Sequence, residues 1–89
     1  MDSKTRAGLR AQANGIDTIV HVGKDGITEN VVKQLDDALT ARELVKGRAF
    51  ESSGLTARQV GEELAKKTSS EMITAIGTRF VLYRKNPDK

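Results

Sequence analysis

The chain has 89 residues, no cysteine and one histidine, with 15 Lys and Arg against 12 Asp and Glu for a formal net charge of +3. That length supports a single modest core. Without thiols there are no disulfides or thiolate metal sites, which points to a reducing compartment, and His21 alone cannot build a zinc site. No stretch reaches the roughly 18 apolar residues of a membrane span, and Met1-Asp2-Ser3-Lys4 lacks the apolar run of a signal peptide, so a cytoplasmic protein with no membrane partner is expected.

A first helix is expected to start after Ser3 and run through Leu9 toward Ala13, stopped by Asn14-Gly15. Lys4, Arg6 and Arg10 lie on its exposed side. The β-branched run Ile19 to Val22, bounded by Asp17 and Gly23, reads as the first strand. Between it and the next helix stands Gly23-Lys24-Asp25-Gly26. Two glycines let backbone approach backbone, and the N–H groups of such a loop can face a phosphodiester oxygen, assisted by the positive end of the helix that follows. This is the physics of a GxxG nucleic-acid clamp. Alone, the motif is equally compatible with an ordinary strand-to-helix turn. Lys24 and the N-cap candidate Thr28 favour the clamp, whereas the Asp25 carboxylate opposes it unless it caps a helix N–H.

From Thr28 the apolar positions Val31, Val32, Leu35, Ala38 and Leu39 recur at helical spacing. Leu44 to Phe50 alternates as a second strand, with Val45, Gly47 and Ala49 on one side and Leu44, Lys46, Arg48 and Phe50 on the other. Thr56-Ala57-Arg58-Gln59 is a capping box that opens a third helix continuing through Leu64 and Ala65. Glu71 to Ile76 and Arg79 to Arg84 form a hairpin on Gly77-Thr78, with the glycine suited to a type II′ turn. Residues 1–85 form one domain and residues 86–89 a frayed tail.

The order α-β-α-β-α-β-β implies an α+β two-layer sandwich: a four-stranded mixed sheet with parallel pairing where helices intervene, an antiparallel final strand, and the helices on one face. The C-terminal ends of the first three strands then share an edge with the helix N-termini. Lys24, Arg58 and Arg79 should gather there, joined by Lys4 and Arg6 if the first helix packs the same way. Arg58 opposes the dipole of its helix, and is explained either by an anion or by a pair with Glu62. Arg42, Arg84, Lys85, Lys66 and Lys67 fall at the other edge, where late-helix cations complement the dipole and need no ligand.

Four blocks in order, Ser3-Lys4-Thr5-Arg6-Ala7-Gly8-Leu9-Arg10, Val22-Gly23-Lys24-Asp25-Gly26-Ile27-Thr28, Ala41-Arg42-Glu43-Leu44-Val45-Lys46 and Ile76-Gly77-Thr78-Arg79-Phe80-Val81-Leu82-Tyr83-Arg84, resemble the CRM domain family, in particular its small bacterial YhbY-like members. The resemblance covers essentially the whole chain. It implies a fold similar to the C-terminal domain of translation initiation factor 3, RNA binding through the GxxG loop, and association with large-subunit ribosomal precursors. Position by position, Gly23 and Gly26 match the loop glycines, Lys24 its basic residue, Lys4, Arg6 and Arg10 the basic first helix, and Arg79 the basic position after the hairpin glycine. Asp25 departs from the pattern, as do Gly8 and Gln12 where larger apolar residues are usual.

The expected function is RNA binding without catalysis or cofactor, in ribosome assembly, by a monomer that contacts ribosomal RNA and ribosomal proteins. Phosphate contacts by Gly23, Lys24, Asp25, Gly26 and Thr28, with Lys4, Arg6, Arg10, Arg58 and Arg79, would carry it. With Phe50, Phe80 and Tyr83 the only aromatic residues, base readout is expected to be weak. The alternative is a protein-binding adaptor that uses Leu44, Phe50 and Tyr83 as an apolar patch on the sheet. Catalysis has no support: adjacent Asp36 and Asp37 point to different sides of a helix, and no nucleophile stands with a base.

Overall fold

The computed structural model describes residues 2–86. In chain order the elements are α1 (Ser3–Ala13), β1 (Thr18–Val22), α2 (Glu29–Arg42), β2 (Leu44–Ala49), a 3-10 turn (Glu51–Ser53), α3 (Ala57–Thr68), β3 (Glu71–Ile76) and β4 (Arg79–Tyr83). Capping decides the helix starts. Asp2 accepts the Thr5 N–H at 2.7 Å, a bond that holds its carboxyl below the usual range. Thr28 accepts the Val31 N–H at 3.2 Å, and Thr56 and Gln59 form the reciprocal capping box. At the hairpin, Gly77 takes a φ of 61° and Thr78 stays at negative φ, as a type II′ turn requires.

The four strands form one sheet in the order β1-β2-β4-β3. β1 and β2 pair parallel, while β4 pairs antiparallel with both β2 and β3. β1, β2 and β3 therefore run the same way, as the sequence implies, but β4 stands between β2 and β3. Composition accounts for that place. Phe80, Val81 and Leu82 are consecutive and all buried, a pattern suited to a central strand covered on both faces, whereas β3 keeps the half-buried profile of an edge.

Alternation along the strands divides the core in two. Val20, Val22, Val45, Ala49, Phe80 and Leu82 face α2 and α3, meeting Leu35, Leu39, Val60 and Leu64. On the opposite face Leu44, Ile73 and Val81 meet Leu9 and Ala13 of α1, with Ile16 and Tyr83 at the margin. The sheet with α2 and α3 is the sandwich read from the sequence, but α1 packs on the other face rather than beside them. Leu44, Ile73 and Val81 would otherwise present an apolar strip to water, and α1 is the remaining element with an apolar stripe to cover it.

Phe80 is accommodated by two glycines. A Cβ on Gly47 would lie 2.3 Å from Phe80 Cζ, and one on Gly61 would lie 2.7 Å from Met72 Sδ and 3.3 Å from Phe80 Cβ. Gly61 thus brings α3 close to the sheet, and Gly47 leaves room for the ring itself.

The C-terminal segment is tied down by polar contacts. Arg84 donates from Nη1 to Asp36 Oδ1 at 2.6 Å and Thr68 O at 2.8 Å, and from Nη2 to Asp36 O at 3.0 Å and Thr40 Oγ1 at 2.9 Å. One arginine thereby joins the end of β4 to α2 and α3. Glu43, held at a left-handed φ of 65°, accepts the Asn86 N–H at 2.7 Å through its carboxylate. Asn86 Nδ2 also donates to Thr40 O at 2.7 Å, so Asn86 is anchored where a frayed tail was expected; residues 87–89 lie outside the described residues. Arg84→Met is expected to cost about 2 kcal/mol, since charge-assisted bonds contribute roughly 1.5–3 kcal/mol each when alone and less when they share one side chain. Thermal unfolding checks it: a fall of about 8–16 °C is expected for a domain of this size.

Candidate nucleic-acid interface

Gly23-Lys24-Asp25-Gly26 closes a turn in which the Gly26 N–H donates to Gly23 O at 2.9 Å. Gly26 has a φ of 69°, in the left-handed region where a Cβ is strained, and a Cβ there would meet nothing within 4 Å. The glycine answers a backbone requirement rather than a packing one. Gly23 has no positive φ, and a Cβ there would meet only Ser52 Oγ at 3.9 Å, so neither packing nor conformation demands a glycine at that position. The amides of Lys24 and Asp25, and of Glu29 and Asn30 in the first turn of α2, take no partner among the described residues. Four unspent donors thus stand at the positive end of α2, beside the exposed Lys24 side chain. Asp25 is exposed and caps nothing, because Thr28 holds the cap.

The loop does not stand alone at its edge of the sheet. The Phe50 N–H donates to Val22 O at 2.9 Å and the Ala49 N–H to Thr78 O at 2.8 Å. Backbone bonds therefore run from the residue before Gly23, across the end of β2, to the hairpin tip that carries Arg79. Arg10 of α1 joins Arg79 there, both lining one groove with Lys46.

Three other expected cations lie elsewhere. Arg6 donates from Nη1 to Met72 O at 2.9 Å and Ile73 O at 3.1 Å, and from Nη2 to Glu71 Oε1 at 2.9 Å. It caps unpaired carbonyls on the outer edge of β3, where the β3–β4 register slips. Arg58 pairs with Glu62 at 3.3 Å, the bland alternative, and shares a shallow hollow beside β3 with Arg6. Lys4 sits one half-turn before Arg6 on the same helix. β3 and β1 are opposite edges of the sheet, roughly 14 Å apart at about 4.8 Å per strand, so these three do not gather at the loop.

The arrangement has close relatives. The CRS1 / YhbY (CRM) domain model matches residues 1–84. The chain belongs to that family. It is 33% identical over 88 residues to the probable RNA-binding protein YqeI of Bacillus subtilis (strain 168), covering 99% of this chain and 92% of that one. With the probable RNA-binding protein MJ0652 of Methanocaldococcus jannaschii it shares 31% identity over 86 residues, 94% of this chain and 63% of the relative. The solution structure of SAV1595 from Staphylococcus aureus superposes with a TM-score of 0.77 at 37% identity, covering 97% of this chain and 90% of that one.

On this CRM domain, the apolar patch expected for an adaptor does not exist as such. Leu44 is 9% exposed and packs beneath α1, and Tyr83 borders the same cluster. Phe50 instead stacks with His21, centroids 5.9 Å apart and planes at 22°, and the Arg48 guanidinium carbon lies 4.7 Å from the Phe50 centroid. Sequence reading placed Arg48 and Phe50 on one side of β2 but gave them no role together. The available signal was that His21 also faces away from Val20 and Val22; what was missing was the β1–β2 register, which sets His21 opposite Arg48. Among the described residues, no group of three or more His, Asp or Glu side chains could hold a metal ion, and no helix is long and apolar enough to cross a membrane.

Proposed function

We propose that this CRM domain binds RNA by seating a backbone phosphate on the amides of the Gly23–Gly26 loop, with Lys24 as its first counter-charge and Arg79 and Arg10 extending the contact. The observation that carries the reading is the set of unspent N–H donors at the head of α2, next to an exposed lysine. The names of the relatives support RNA as the polymer. Thr28 acts by fixing the start of α2, and Gly23 by keeping the approach free of a side chain. Arg6 holds the β3 edge, Arg58 pairs with Glu62 on α3, and both lie outside the contact. The natural target is ribosomal RNA within large-subunit precursors in the cytoplasm, bound without chemistry.

Lys24→Glu is expected to weaken RNA binding and to lower the slope of log affinity against log salt by about one, as removal of a single phosphate-neutralising cation should. Unchanged affinity and slope in a folded variant would remove the clamp. Crosslinking in cells followed by sequencing identifies the RNA, and recovery of transcripts other than ribosomal RNA would overturn the assembly role.

A further inference from the structure

The sheet face that carries α1 is only partly covered by it, and its uncovered end is the end next to the loop. Register brings three side chains abreast there: His21 of β1 opposite Arg48 of β2, and Arg48 opposite Arg79 of β4. Their neighbours Val20, Val22, Ala49 and Phe80 face α2 and α3, so all three belong to the α1 side. Two like charges directly across an antiparallel pair destabilise a sheet unless an anion answers them. None does so among the described residues, whose ion pairs join Arg6, Arg58, Lys67 and Arg84 to carboxylates and leave Arg48 and Arg79 without one.

Arg48 is further marked by its buried Nε, which has no hydrogen-bond partner. Its guanidinium is held by the face of Phe50 rather than by any polar anchor, which leaves its charge uncommitted. Beside Arg79 the surface continues as a groove of about 520 Å³ between α1 and the sheet, with Arg10 and Lys46 in its walls, Val81 and Ile76 along it, and no acidic residue lining it. Ile76 is 72% exposed, an unusual exposure for a large aliphatic residue on a strand.

From these features we infer that this face is a second RNA subsite that takes an unpaired nucleotide next to the clamp: its base stacks on the His21–Phe50 rings, its phosphates meet Arg48 and Arg79, and the strand continues into the α1 groove. The occupant follows from the chemistry. Cations without acids call for a polyanion, an exposed His21 ring stacked on a half-buried Phe50 calls for a flat π-face, and a duplex would hide its bases from those rings. Contiguity follows from the backbone, since Phe50 is bonded to Val22, the residue before Gly23. The subsite deepens the clamp reading and rests on it for the polymer, but the two are separable by experiment.

The probes are a fluorescein-labelled oligouridylate of about twelve nucleotides, within the site sizes such surfaces cover, and an RNA duplex of the same length. Anisotropy titrations run between about 50 and 200 mM salt, where phosphate contacts are read from the slope. Phe50→Leu keeps an apolar side chain but removes the ring. It is expected to weaken oligouridylate binding about 10-fold with no change in salt slope, and to leave duplex binding untouched. Arg48→Gln is expected to lower the slope by about one. Should Phe50→Leu fail to fold, the exposed His21→Ala reads the same ring stack, with an expected loss of about 3-fold on oligouridylate alone. The subsite is overturned if both ring variants bind oligouridylate like the unaltered protein, if they weaken duplex binding equally, or if oligouridylate does not bind at all. A Lys24→Glu variant with unaltered affinity and slope on both probes would sink the clamp instead, a result the ring variants cannot produce.

Discussion

Gly26→Asp is expected to lower RNA affinity by about 30- to 100-fold, the largest binding effect available from a single loop position. Strain and charge both contribute. A non-glycine residue at the 69° φ of Gly26 costs about 1 kcal/mol, less for aspartate than for most because it tolerates the left-handed region. Charge weighs more: a carboxylate placed about 4 Å from a bound phosphate is repelled by about 1 kcal/mol in water and by about 4 kcal/mol at the effective dielectric of a protein surface. Gly26→Asn separates the two effects, because asparagine carries the same backbone tolerance without the charge. The asparagine variant should retain most of the affinity, with circular dichroism showing both variants folded. Equal losses for Asn and Asp would mean that strain, not charge, governs the loop, and no loss for either would show that no phosphate sits there.

Gly47→Ala should be the most damaging conservative change to stability. The added methyl would stand 2.3 Å from Phe80 Cζ and 2.5 Å from Cε2, distances no real Cβ adopts, and Phe80 is fully buried. Little slack remains around Phe80, since a Cβ on Gly61 of α3 would itself lie 3.3 Å from Phe80 Cβ. Overpacking of this kind costs about 1–3 kcal/mol where neighbours can yield; the upper end is expected here, a fall in Tm of about 12–24 °C. Pairing it with Phe80→Leu provides the control. If the clash is the cause, the double variant is less destabilised than the sum of the two singles, while strict additivity would place the damage elsewhere.

The elements and their ends were legible in the sequence because the signals are local. Thr28 and Thr56 cap, Gly77 turns, and the apolar periods at Val31 to Leu39 and Val60 to Leu64 each fit one helix face. The Gly23–Gly26 turn was legible for the same reason, as a glycine pair between a β-branched run and a cap. The position of α1 was harder to see, although Phe80-Val81-Leu82 held the clue: three consecutive buried residues in a strand need cover on both faces, and α1 was the element left to supply it. Basic residues were legible as charges but not as neighbours. Arg6 looked like part of a binding track and instead holds the β3 edge; Arg48 looked like an ordinary strand cation and stands beside two rings and a second arginine.

The chain alone determined which segments are helix and strand, the α+β class, the loop chemistry of Gly23-Lys24-Asp25-Gly26 and membership of its family, because hydrogen-bonding propensity, periodicity and turn geometry act over a few residues. The sheet order β1-β2-β4-β3, the second face under α1 and the row of His21, Arg48 and Arg79 were decided only in three dimensions. Those features depend on strand register and on which apolar surfaces find each other, contacts between residues far apart in the chain, such as Arg6 and Ile73, 67 positions apart. Short-range pattern carries no information about such pairs until the core has closed.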